Sequence, residues 1–147
     1  MAYEYNCTVK RVVDGDTVDV DIDLGFDIVL TNQRIRLYGI DTPESRTRDL
    51  VEKHYGKKAT AYVKGYLKEG EKAVLRTHLD ATGKFGRILG EFIVYDIKDD
   101  RHTSLNEMMV RDHMAVRYYG QSKESVELEH IENRHLLGNT HEQQETN

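Results

Sequence analysis

A chain of 147 residues with 38% hydrophobic content is the size of one ordinary domain, large enough to bury a core without staples. Its single cysteine, Cys7, excludes a disulfide framework and a cysteine-built metal site. The formal net charge is −5, but residues 124–147 hold six Glu against one basic residue, Arg134, so the rest of the chain is balanced and a polyanion would need a local basic cluster.

Met1 to Asn6 lack the basic and apolar regions of an export signal, which makes an intracellular protein the default, with secretion left open. No apolar run approaches the roughly 18 residues of a membrane span, so no membrane partner is expected. Residues 7–13 and 17–24 predict two strands joined by the Asp14-Gly15 turn, with Cys7 a small apolar filler. In the second strand Val18, Val20, Ile22 and Leu24 alternate with Asp19, Asp21 and Asp23, which places a core face opposite a carboxylate face. The aspartate spacing is superficially that of an EF-hand loop. Leu24 and Leu30 stand where such a loop needs glycine and glutamate, so a solvated strand face is expected instead.

Residues 28–40 predict a third strand region, with Ile35 and Leu37 opposite Arg34, Arg36 and Tyr38. Leu50 to Lys68 predicts a helix with Tyr55, Ala59, Tyr62, Val63, Tyr66 and Leu67 on one face, stopped by Glu69-Gly70. Lys53, Lys57 and Lys58 read as its solvated face rather than as a substrate channel. Two strands are expected near 72–79 and 87–95, around a polar loop from Asp80 to Gly86. Ser104-Leu105-Asn106-Glu107 is a capping-box pattern, opening a short helix that buries Leu105, Met108 and Met109. A last helix is expected from about Ser122 to Leu137, ending at Gly138, with Asn139 to Asn147 a polar, disordered tail. The order of elements predicts an α+β, mainly β, monomeric domain over residues 1–138. Its architecture is a closed antiparallel barrel of OB type, with five strands and about three packed helices. A fold of this kind assigns no function by itself.

The seven histidines are scattered without zinc-ligand spacing, and no serine or cysteine sits in a nucleophile context. The side chains with chemical potential stand at turns. Asp14-Gly15-Asp16-Thr17 could be an ordinary tight turn, and Asp41-Thr42-Pro43-Glu44 an ordinary helix-leading loop. Arg36 could be an ordinary solvent-facing strand residue, and Arg87, after Lys84-Phe85-Gly86, could merely blunt a hairpin end. Together they supply the parts that phosphodiester cleavage needs: carboxylates for a hard cation, a base for water, and positive donors for phosphate oxygens.

Val12-Val13-Asp14-Gly15-Asp16-Thr17-Val18, then Arg36-Leu37-Tyr38-Gly39-Ile40-Asp41-Thr42-Pro43-Glu44, then Gly83-Lys84-Phe85-Gly86-Arg87 closely resemble the staphylococcal nuclease (thermonuclease) family in order and spacing. The resemblance covers about residues 8 to 120. It implies a Ca²⁺-dependent nuclease acting on DNA, RNA or both, with water attacking in line, the 5′-oxygen leaving, and products that carry 3′-phosphates. Asp16 and Asp41 would bind Ca²⁺ with the Thr42 carbonyl and waters, Glu44 would serve as base or water-orienting group, and Arg36 and Arg87 would grip the scissile phosphate. Lys84 matches a phosphate-contacting lysine of the family. Phe85 stands where the family carries a tyrosine, so a hydrogen bond to phosphate is lost there. Tyr118 and Tyr119 fall near the base-stacking tyrosines of the family and are open to two readings, substrate contact or core packing. The alternative to a nuclease is a non-cleaving module that binds nucleic acid or protein. Such inactive relatives usually lack the carboxylates or the arginines that are present here.

Overall fold

The computed structural model describes residues 3–79 and 88–145, with side chains to residue 138. Among these residues the strands are β1 (Tyr3–Asp14), β2 (Thr17–Asp23), β3 (Val29–Leu37), β4 (Ile40–Asp41), β5 (Lys72–His78), β6 (Ile88–Asp96), β7 (Arg101–Ser104) and β8 (Val116–Arg117). The helices are α1 (Leu50–Tyr66), α2 (Leu105–Arg111) and α3 (Lys123–Glu145).

The alternation in β2 decides which way the sheet faces. Val18, Val20 and Ile22 are buried, and the intervening aspartates turn outward. Complete burial of each such side chain contributes about 1.5–3 kcal/mol. A register slip of one residue would bury the carboxylates instead, so the register is firmly specified. Asp19 pairs with Arg34 at 2.9 Å, and Asp21 with Lys10 at 3.6 Å. The Arg34 guanidinium holds the Asp19 carboxyl below its usual range. These carboxylates serve cross-strand pairing, as the solvated-face reading expects.

The sheet runs β3-β2-β1-β5-β6-β7, and a further pairing of β3 with β6 closes the first five of these strands into a barrel. The fold is therefore the expected five-stranded OB-type barrel with three helices, but the closing seam is parallel. Ile35, Arg36 and Leu37 align with Ile88, Leu89 and Gly90. Buried Asn106, at the start of α2, pins this seam: its amide donates to the Tyr38 carbonyl at 2.9 Å and to the Gly90 carbonyl at 3.1 Å. Ser104 caps α2 as its sequence predicts, accepting from the Glu107 N–H at 3.4 Å. Leu105, Met108 and Met109 are buried beneath it.

Helix α1 lies against the barrel through Gly56, Ala59, Val63 and Leu67. Asp49 caps it, accepting from the N–H groups of Val51 and Glu52. Cys7 is buried, and burial pushes its thiol up to about 11, which leaves an inert apolar filler. Further features depart from expectation. Leu24, expected on the core face, lies past the end of β2 and is exposed, because the chain turns at Gly25 before another residue can face the core. The region 28–40 is not one strand: at Gly39, with φ of +76°, the chain bends, and Ile40 and Asp41 pair with β8. Helix α3 passes through Gly138 to Glu145 instead of stopping there. An interior glycine costs a helix only about 1 kcal/mol, and a stop needs the left-handed backbone that Gly138 does not adopt. No helix among the described residues is long and apolar enough to cross a membrane.

Candidate active site

Three chain segments converge at one end of the barrel because their backbones are tied together there. The turn after β1 presents Asp16, whose carbonyl accepts the Leu37 N–H at 2.8 Å. Thr17 pairs with Arg36 across β2 and β3, so Arg36 emerges beside Asp16. The bend at Gly39 then returns the chain, and Asp41 comes back to the same arginine. Nη2 of Arg36 lies 3.5 Å from Asp16 Oδ2 and 3.7 Å from Asp41 Oδ1. Nη1 donates to the Leu37 carbonyl at 2.9 Å, which fixes the plane of the guanidinium. The Thr17 hydroxyl donates to Asp16 Oδ1 at 3.0 Å.

Glu44 joins this group electrostatically. Burial of its carboxyl pushes its pKa up, and the nearby charges of Asp16, Asp14, Glu52 and Asp41 push it further in the same direction. Glu44 thus shares a field of four other carboxylates, two of which flank the Arg36 guanidinium, an arrangement that favours any additional cation. Ser45 ties this loop back to β1 by donating to the Asp14 carboxylate.

Small residues on α1 allow this convergence. A Cβ on Gly15 would meet the Ala59 Cβ at 2.8 Å and the Thr42 side chain at 3.2 Å. A Cβ on Gly56 would meet the Glu44 carbonyl oxygen at 2.5 Å and the Ser45 nitrogen at 2.7 Å. Backbone atoms cannot swing aside as a side-chain tip can. Gly56→Ala should therefore destabilise the protein by about 1–3 kcal/mol, although alanine is the better helix former by about 1 kcal/mol. Urea denaturation measures this, and a more stable variant would show that the loop has room to retreat.

Asp16, Arg36, Asp41 and Glu44 are therefore brought together, and Thr42 is buried beside them. Lys84, Phe85 and Arg87 lie outside the described residues, as does the loop from Asp80 to Gly86. Tyr118 and Tyr119 are exposed, at 46% and 79%, which removes the core-packing alternative for both. The Tyr118 N–H donates to the Gly39 carbonyl at 2.8 Å, so it stands at the bend between Arg36 and Asp41. Lys57 and Lys58 are exposed on α1, while Lys53, expected on the same solvated face, is half-buried.

Among the described residues no three Asp, Glu, His or Cys side chains stand close enough to hold a metal ion by themselves. The donors at hand are oxygens: two carboxylates that share Arg36, and the main chain around Thr42. Such a set fits a hard cation that keeps much of its water, and does not fit zinc.

Two residues at the site escape a reading of the sequence. Gly56 sits inside an otherwise regular helix, where a glycine is unfavourable unless packing requires it, and that cost is its only local signal. His130 approaches Asp41 from α3, with Nε2 2.8 Å from Oδ2. Nothing local marks it, because 89 residues separate the pair.

A profile of the family described as Staphylococcal nuclease homologue matches residues 34–135. Endonuclease YhcR of Bacillus subtilis (strain 168) is 31% identical over 121 residues, covering 79% of this chain and 9% of that protein. Thermonuclease of Staphylococcus intermedius is 38% identical over 81 residues, 55% of this chain and 44% of that protein. Thermonuclease of Staphylococcus hyicus is 34% identical over 88 residues, 60% of this chain and 48% of that protein. The chain spans less than half the length of each of these relatives.

Proposed function

The chain belongs to the staphylococcal nuclease family, and from that premise we propose that it is a Ca²⁺-dependent nuclease that hydrolyses phosphodiester bonds of DNA, RNA or both. The observation that carries this reading is the Arg36 guanidinium between Asp16 and Asp41, with Glu44 inside the same acidic field. A phosphodiester transition state needs a cation and a guanidinium on its oxygens and a carboxylate beside the attacking water, and these are the parts present.

Asp16 and Asp41 would hold Ca²⁺ through carboxylate oxygens, with the Thr42 carbonyl and waters completing the shell. The bound ion supplies Lewis-acid neutralisation of the phosphate oxygens. Arg36 binds the scissile phosphate with its planar fork, and the Leu37 carbonyl orients that fork. Glu44 orients the attacking water and takes its proton, the attack runs in line, and the 5′-oxygen leaves, so a 3′-phosphate remains. Arg87 is assigned to the same phosphate. It directly precedes Ile88, which pairs with Ile35 next to Arg36. Lys84, Phe85, Tyr118 and Tyr119 would border the substrate.

The test incubates the purified protein with single-stranded DNA in Ca²⁺, with and without chelator, beside Asp16→Ala. Cleavage should vanish with chelator, and Asp16→Ala should lose roughly 100-fold or more, beyond the 10–100-fold typical of supporting residues. Chelator-resistant cleavage would overturn the metal assignment. Binding without cleavage would replace the enzyme reading by the binding-module one.

A further inference from the structure

Helix α3 docks on the barrel in an unusual way. Among its described residues only Val126 and His130 are buried, while Leu128 and Ile131 are exposed. The two buried positions are one turn apart and form the seat of the helix. An apolar residue would suit such a seat better than an imidazole, whose nitrogens must be satisfied when removed from water. The Nδ1 of His130 has no hydrogen-bond partner among the described residues, so docking alone does not account for a histidine here.

The other ring nitrogen does account for it. Nε2 meets Asp41 Oδ2 at 2.8 Å, and it must be the donor, because an ionised carboxylate only accepts. The contact takes one oxygen of Asp41 and leaves the other, Oδ1, on the side of Arg36 and Asp16. An unheld carboxylate at the end of a two-residue strand would rotate and present either oxygen. Helix α3 also holds the strand beside Asp41, since the Asn133 amide donates to the Ala115 carbonyl at 3.2 Å, next to the β8 residue paired with Asp41.

We infer that His130 is the positioning residue for Asp41: by donating Nε2–H to Oδ2 it holds Oδ1 toward the cation site, and it thereby makes the docking of α3 part of metal binding. Partners that orient a ligating group typically change metal affinity by about 10–100-fold. The inference rests on the reading of Asp41 as a Ca²⁺ ligand.

The experiment compares the full chain with His130→Leu, His130→Gln and His130→Asn. Ca²⁺ affinity is read by calorimetry, melting temperature in chelator, and kcat on single-stranded DNA at saturating Ca²⁺. His130→Leu should bind Ca²⁺ about 10–100-fold more weakly. Its melting temperature in chelator should hold or rise, because leucine fills the seat without an unpaired nitrogen. At saturating Ca²⁺ its kcat should approach that of the wild type. Glutamine places an amide donor where Nε2 stands and should restore most of the affinity, while the shorter asparagine should not. That Gln–Asn contrast decides the matter even if the leucine variant fails to fold. Equal Ca²⁺ affinity in wild type and His130→Leu would overturn the role, as would equal losses in the Gln and Asn variants. A wild type that neither binds Ca²⁺ nor cleaves would overturn the metal reading itself, and the role of His130 with it.

Discussion

Glu44→Gln is expected to lower turnover by about 10²–10⁴-fold, the range of a lost acid–base group, and at the same time to make the metal-free protein more stable. Both effects come from one feature. The Glu44 carboxyl is pushed up first by its own burial and then by Asp16, Asp14, Glu52 and Asp41. In the folded, metal-free chain its ionised form is therefore disfavoured. A carboxyl raised above its unfolded value stabilises the fold at low pH and loses that contribution as pH rises through the raised value. Glutamine is neutral throughout, so the variant should match the wild type at low pH and exceed it once Glu44 ionises.

The residue is exposed overall, so solvent screens the repulsion and the gain in stability will be small. Ca²⁺ should shrink the gain further by neutralising the same carboxylates. Single-turnover cleavage and melting in chelator across pH measure the two halves separately. A melting temperature that fell on substitution would mean that Glu44 makes a stabilising contact. Undiminished turnover would remove it from the chemistry. Sites built for chemistry commonly carry this opposition between stability and activity.

Arg111→Met should destabilise the fold by more than the level of an ordinary exposed ion pair, because Asp96 is buried while Arg111 itself reaches solvent, which screens part of the loss. Asp96 is buried and takes its charge partner from the Arg111 guanidinium, which holds its carboxyl below the ordinary range. The same guanidinium meets Asp112 Oδ2 at 3.0 Å and Asp99 at 3.4 Å. Asp112 in turn accepts the Tyr62 hydroxyl of α1 at 2.7 Å. One side chain thus joins α2 to the turn between β6 and β7 and, through Asp112, to α1. Methionine would fill the volume and leave Asp96 with backbone donors such as the Lys98 N–H at 3.1 Å.

The pH dependence follows from Asp112, which the Arg111 hydrogen bond brings down to about 2. A depressed carboxyl contributes stability above its unfolded value, near 3.8, and loses it as pH falls toward about 2. Without Arg111 that acid limb flattens, so wild type and variant should differ most at neutral pH and converge in acid. Urea denaturation at pH 7 and pH 3 reads this. A loss below about 1 kcal/mol at pH 7, the level of an exposed ion pair, would show that solvent already compensates Asp96. The network lies apart from Arg36 and its carboxylates, so cleavage per folded molecule should not change.

Periodicity is local, and it was legible. The alternation of Val18, Val20 and Ile22 with three aspartates predicts the core face of β2, and Ala59, Val63 and Leu67 predict the seat of α1. The Ser104 capping box predicts the start of α2. These signals suffice for a barrel with helices because each element declares its own buried side. The division of residues 28–40 into two strands has no such local signal. Its break at Gly39 serves a two-residue pairing with β8 that carries no periodicity of its own. The parallel seam between β3 and β6 was also hidden, because Ile35-Arg36-Leu37 has an apolar residue at each end and its pattern reads the same in either direction.

The fold class was legible along the chain, as were Asp16 and Glu44 in loops and Arg36 and Asp41 on strands, because periodicity and motif order are local properties. The tertiary structure decided what surrounds them. It set Arg36 between two carboxylates and left Tyr118 and Tyr119 exposed to solvent. It showed Gly56 giving way to the Glu44 backbone, and it brought His130 onto Asp41. Each of these depends on how closely two distant backbones approach, and a one-dimensional pattern carries no record of that distance.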